Sequence, residues 1–161
     1  MKLLARILSL FVLAALGLFY MGCDPDDGPK LSEKDKQIEK LNGSWLTTDY
    51  KLDGVTPADL NYSEFVLQLT GETGDETMGF SVLKRPLEKP SPWPESGEIE
   101  FGTNVQQNLI RKDPQDVDVQ MTYEVTETTL VVEFTFSTDP YVPDGRVRNV
   151  TGDWHFEFTK Q

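Results

Sequence analysis

The chain is short of the residues on which much protein chemistry depends. Its 161 residues include one cysteine, Cys23, and one histidine, His155. A single thiol excludes an internal disulfide framework and any thiolate metal cluster. Ser-His-Asp catalysis would have to be built on that one imidazole. There is no nucleophile elbow and no glycine-rich phosphate loop. Basic residues are scarce too. Lys and Arg number 15 against 27 Asp and Glu, a formal charge of −12. Such acidity argues against nucleic acid and against adsorption to an anionic bilayer. The one long apolar run is confined to the first 22 residues, which excludes a chain that crosses a membrane several times with helices. The rest is long enough for one domain and too short for two well-packed ones.

The apolar run has the layout of an export signal. Lys2 and Arg6 precede fifteen residues, Ile7 to Met21, interrupted only by Ser9 and Gly17. That is short for a membrane span. It ends at Gly22-Cys23, a small residue before a lone cysteine, as in a bacterial lipoprotein signal. Tyr20 and Met21 depart from the usual aliphatic and small residues there. Residues 1–22 are therefore read as a lipoprotein signal peptide, with Cys23 as the lipid-attachment residue. Two or three acyl chains, at about 0.8 kcal/mol per buried CH2, would hold the protein durably on a membrane of the bacterial cell envelope. Residues 23–31 begin Cys-Asp-Pro-Asp-Asp-Gly-Pro, an acidic stretch that cannot bury a core and reads as a solvated tether. It lacks the closing Glu of a calcium loop, so no metal is expected. Acidic residues directly after the lipidated cysteine resemble the surface-export signals of Bacteroidetes lipoproteins. The resemblance implies an outer-membrane location and surface exposure; in enterobacteria, Asp at this place instead retains a lipoprotein in the inner membrane.

Residues 32–161 form the expected domain. After Cys23 there is one alanine, Ala58, while Thr, Val, Phe and Tyr abound, which suits strands better than helices. One short helix is predicted. Ser32 and Asp35 form a capping box, and Leu31, Ile38 and Leu41 share a face. From Gly43 onward the period is two, and eight strands are predicted: 43–52, 62–70, 79–84, 97–101, 105–111, 117–123, 130–136 and 150–159. Each has one apolar and one polar face, as for a sheet buried on one side. The expected fold class is an all-β, eight-stranded up-and-down antiparallel barrel with a short N-terminal helix.

Several segments resemble a known family. Ile38-Glu-Lys-Leu-Asn-Gly-Ser-Trp45 is similar to the opening of lipocalins, where a short helix leads into Gly-x-Trp. Trp93-Pro-Glu-Ser-Gly97, Ile110-Arg-Lys-Asp113 and Gly152-Asp-Trp-His-Phe-Glu-Phe158 resemble pieces of lipocalin-like lipoproteins of Bacteroidetes. The resemblance spans roughly residues 38–160. It implies a barrel closed by Gly43 and Trp45, and non-enzymatic binding of a small apolar or amphiphilic molecule without a cofactor. Two departures stand out. Thr48-Asp49-Tyr50 lies in the first strand, whereas lipocalins carry such a triplet late. Only Lys160 follows the last strand, where lipocalins place an Arg over the Trp.

An up-and-down order sorts the loops. One end carries residues 53–61, 85–96, 112–116 and 137–146, with eight of the ten prolines. The other carries 71–78, 102–104 and 124–129, rich in Glu and Asp and without a base. Tyr62, Trp93 and Tyr141 lie in or beside the long loops and are candidate ligand contacts. The alternative is that they fold inward as a lid on a filled barrel, the domain then contacting proteins or glycans through its rim. Arg146 and Arg148 share a strand face and could grip an anion, or merely pair with Asp139 and Asp144. His155, on the polar face of the last strand, reads as a solvated sheet residue. No pair of carboxylates is singled out for hydrolysis, and no enzyme is expected. Nothing suggests self-association, so a monomer is the default.

Overall fold

The computed structural model describes residues 30–86, 91–113, 118–137 and 150–161. Cys23, Tyr141, Arg146 and Arg148, with the signal peptide and nearly all of the tether, lie outside the described residues. A helix, α1 (Glu33–Leu41), is followed by β1 (Gly43–Leu52), β2 (Val66–Thr70), β3 (Thr77–Leu83), β4 (Ser96–Phe101), β5 (Asn108–Lys112), β6 (Asp118–Val125), β7 (Thr129–Phe136) and β8 (Gly152–Lys160). Each strand pairs antiparallel with its neighbours in sequence, and β1 pairs with β8 to close the barrel. The expected fold is the observed one.

Parity explains the core. In β6 Val119, Met121 and Tyr123 are buried and the residues between them exposed. In β7 Leu130, Val132 and Phe134 are buried, and in β8 Trp154, Phe156 and Phe158. Fully burying a side chain of this size contributes roughly 1.5–3 kcal/mol. Strand ends differ from expectation where side chains make local turns. Val105 to Gln107 do not belong to β5. Asn104 accepts from Gln107 and Asn108 backbone N–H through its carbonyl (3.0 and 2.8 Å) and from Gln106 through its side chain (3.1 Å). Likewise β2 begins at Val66. Phe65 N–H donates to the Tyr62 carbonyl at 3.0 Å, and this turn swings both rings inward.

β1 breaks parity once. The register against β8 shifts between Thr47 and Asp49, so Thr48 is an extra residue. Before the bulge Trp45 and Thr47 are buried. After it Tyr50 and Leu52 pack against the core, and Asp49 and Lys51 lie on the other face.

The helix closes the short-turn end. Ser32 Oγ accepts from Asp35 N–H (3.1 Å) and the Asp35 carboxylate from Ser32 N–H (3.2 Å), so the capping box forms. Ile38 and Leu41 are buried in the core. Gly74 N–H donates to Asp35 at 2.8 Å, and Lys34 meets Glu76 at 3.1 Å, a surface pair worth about 0.2–1 kcal/mol. The Trp45 indole N–H donates to the Leu41 carbonyl at 2.7 Å. Lys160 supplies the missing cover: its Nζ sits 5.1 Å from the Trp45 ring centre and donates to the Lys40 carbonyl at 2.9 Å. Gly43 makes room for it. Its φ is +136°, and a Cβ there would meet Lys160 Cε at 2.9 Å.

Candidate functional site

The long-loop end is closed by aromatic side chains folded inward. Trp93 reaches the lumen from the segment between β3 and β4. Arg85 holds that segment: Nη1 donates to the Trp93 carbonyl (3.1 Å) and Nη2 to the Glu95 carboxylate (2.7 Å). Val82 N–H donates to the Glu95 carbonyl at 2.9 Å, and Ser91 Oγ accepts from Trp93 N–H at 3.3 Å. The fully buried indole then meets Phe80 of β3 at 5.9 Å and Phe134 of β7 at 5.4 Å, both edge-on. In an eight-stranded ring β3 and β7 stand opposite each other. One side chain thus spans the lumen at this level.

Tyr62 packs just beside it. Its ring makes edge contacts with Tyr50, Phe65, Trp154 and Phe156 at 5.3–5.6 Å. Its hydroxyl lies 3.5 Å from Ser91 Oγ. Burial pushes the phenol up to about 12, against a smaller opposing effect of the Ser91 hydrogen bond. Trp154 closes the adjoining wall, its indole N–H donating to the Val150 carbonyl at 2.8 Å.

The residue that sequence reasoning missed is Arg111. It lies in the Ile110–Asp113 segment and is completely buried. Parity could have found it: Leu109 points inward on β5, so Arg111 does too. Its guanidinium lies 5.0 Å from the Trp93 ring centre and 5.2 Å from that of Phe134. Asp113 grips it bidentately, at 2.7 Å from Nε and 2.9 Å from Nη2. The charge is therefore balanced inside the barrel. Two buried donors, Arg111 Nη1 and Trp93 Nε1, find no acceptor among the described residues. A buried donor left without a partner costs about 1–3 kcal/mol.

The structure brings Tyr62 and Trp93 together, as shared neighbours of Phe65 and Phe156, and adds Arg111 to them. Gly43 and Trp45 sit at the opposite end, with the helix. The candidate contacts Tyr141, Arg146 and Arg148 lie outside the described residues. His155 is on the outer wall, but it is no simple solvated residue. Nδ1 is 2.8 Å from Glu133 and Nε2 3.1 Å from Glu157. Partial burial pulls its pKa down, and the two carboxylates together outweigh this and raise it. No protein-family model matches the chain, and no curated protein is significantly similar to it.

Proposed function

We propose that this chain is a lipid-anchored, non-enzymatic binding module of the bacterial cell envelope, lipocalin-like in kind. Cys23 carries the lipid and the acidic tether spaces the barrel from the outer membrane. The module takes a small apolar or amphiphilic molecule at its long-loop end. The observation that carries this reading is a pair of buried donors, Trp93 Nε1 and Arg111 Nη1, that find no acceptor among the described residues and are set among aromatic rings. An apolar molecule with one acceptor oxygen suits such a place: its oxygen would complete the donors while its body lay among the aromatic rings around them. Because Asp113 already neutralises Arg111, a neutral carbonyl or hydroxyl suits the site better than a second anion. The non-enzymatic character rests on composition, with one imidazole and a thiol committed to lipid. A second reading draws on Trp93 bridging opposite walls. A solid barrel would meet proteins or glycans through its loops, and the two donors would hold an ordered water.

Native mass spectrometry of the protein purified from its own host, after enzymatic removal of the acyl chains, separates the two. A retained small molecule, lost in Trp93→Phe, supports the pocket. Bare protein whose tryptophan emission is unmoved by titration with medium-chain alcohols and ketones overturns it and leaves the solid module. Globomycin-sensitive labelling with radioactive palmitate, abolished by Cys23→Ser, tests the anchor.

A further inference from the structure

We propose that the outer wall of the barrel, where β1 and β8 pair, carries a binding site for one borderline divalent transition-metal ion, built from Asp49, His155 and Glu157. This site is remote in kind from the interior one and does not rest on it. Asp49 and Glu157 are register partners across β1 and β8, and His155 lies two residues from Glu157 on the same face. The ligating atoms of the three side chains lie within 4.8 Å of one another. Closing to metal–ligand bonds of about 2.0–2.2 Å requires only side-chain rotation on a half-exposed surface. Three protein ligands leave a fourth position open to solvent or to another molecule.

The orientation of the imidazole argues for a metal rather than for an undirected acidic surface. Glu133, on β7, takes Nδ1 at 2.8 Å. When a metal displaces the proton from Nε2, that carboxylate would hold Nδ1–H, orient the ring and make the Nε2 ligand more basic. Nε2 is the nitrogen that faces Glu157, at 3.1 Å. The arrangement is thus carboxylate, imidazole, then a space bounded by two further carboxylates. One nitrogen and two carboxylate oxygens suit zinc and its neighbours; calcium, which takes six to eight oxygens, is poorly served. The charge also fits. Lys51, whose Nζ is 2.8 Å from Asp49 Oδ2, is the one cation among the described residues paired with the three ligands. Its flexible side chain can swing to solvent when a dication takes its place. Beside the site the outer wall forms a depression of about 610 Å3, bordered by Lys51, Glu133, Thr135 and His155. It could hold a molecule that fills the open coordination position.

The bulge at Thr48 makes the site. Without the extra residue, Asp49 would continue the inward series of Trp45 and Thr47.

Zinc chloride titrated calorimetrically into the full chain in detergent, with Cys23→Ser removing the competing thiol, tests the proposal. The expected result is saturable binding of one zinc per chain in the micromolar range. His155→Gln should abolish it, and Glu133→Gln, which only orients the ring, should weaken it about 10- to 100-fold. Circular dichroism and melting would establish that both variants stay folded. If His155→Gln does not fold, Asp49→Asn with Glu157→Gln takes its place, with the same loss expected. Zinc binding that is absent below millimolar concentration, survives loss of a ligand, or is displaced equally well by calcium would overturn the proposal.

Discussion

The buried ion pair makes the sharpest test of the interior. Arg111 is fully buried and Asp113 is 16% exposed, and the two are joined by two short hydrogen bonds. Replacing Asp113 by Ala leaves a guanidinium inside the barrel against the rings of Trp93 and Phe134 without its carboxylate. Stranding a buried charge in this way costs about 3–5 kcal/mol. Access of solvent at Asp113 favours the lower end, about 3 kcal/mol. For a domain spanning Leu31–Gln161, about 3–5 °C are lost per kcal/mol, so the melting temperature should fall by about 10–15 °C. The double variant Arg111→Met, Asp113→Asn should behave differently. It forfeits the cation–π contacts, worth about 2 kcal/mol when desolvated, but it removes both buried charges and the acceptorless Nη1. Its stability should lie within about 1 kcal/mol of wild type, although it changes two side chains instead of one. Urea denaturation followed by tryptophan emission and far-ultraviolet circular dichroism measures all three proteins. If Asp113→Ala loses less than about 1 kcal/mol, or the double variant is no more stable than Asp113→Ala, the pair is not the desolvated, mutually dependent unit described here.

Other outcomes follow from the same geometry. Trp93→Ala should cost about 3–5 kcal/mol by urea denaturation, because the indole spans the lumen between Phe80 and Phe134 and little can collapse into its place. Gly43→Ala should cost about 1–3 kcal/mol in the same assay, since φ +136° is strained for any side chain and Lys160 occupies the space. Tyr62 should remain un-ionised until about pH 12 in an absorbance titration at the phenolate band. Its folded pKa lies above the unfolded value of about 10, so the unfolded chain loses that proton first and stability falls as pH rises between the two. Stability of Tyr62→Phe should be flatter over that window; equal slopes would contradict the burial of the hydroxyl.

Much of the architecture was legible in the residues. Alternation along residues 117–123 and 130–136 placed two strands and their inward faces, because side chains on a pleated strand alternate unless a residue is inserted. Ser32 and Asp35 marked the helix start through hydrogen bonds that span only three residues. The order of eight strands followed from the tendency of sequence neighbours to pair, together with the lipocalin-like opening at Gly43 and Trp45. Less legible was the role of single polar residues. Arg111 did not stand out as a core residue because arginine is seldom buried, although its parity points inward.

Local rules, then, determined strand number, pairing order and which faces are apolar, since each depends on a few neighbouring residues. Only the tertiary structure decided what fills the lumen and what gathers on the wall. The Trp93 segment turns inward because Arg85, Ser91 and the strand end at Val82 hold it, contacts no periodicity records. Asp49 stands beside Glu157 because one unpaired residue at Thr48 reverses the faces of β1 where it closes against β8. These arrangements couple residues as distant in sequence as Asp49 and Glu157, and their energies exist only once the sheet has curled shut.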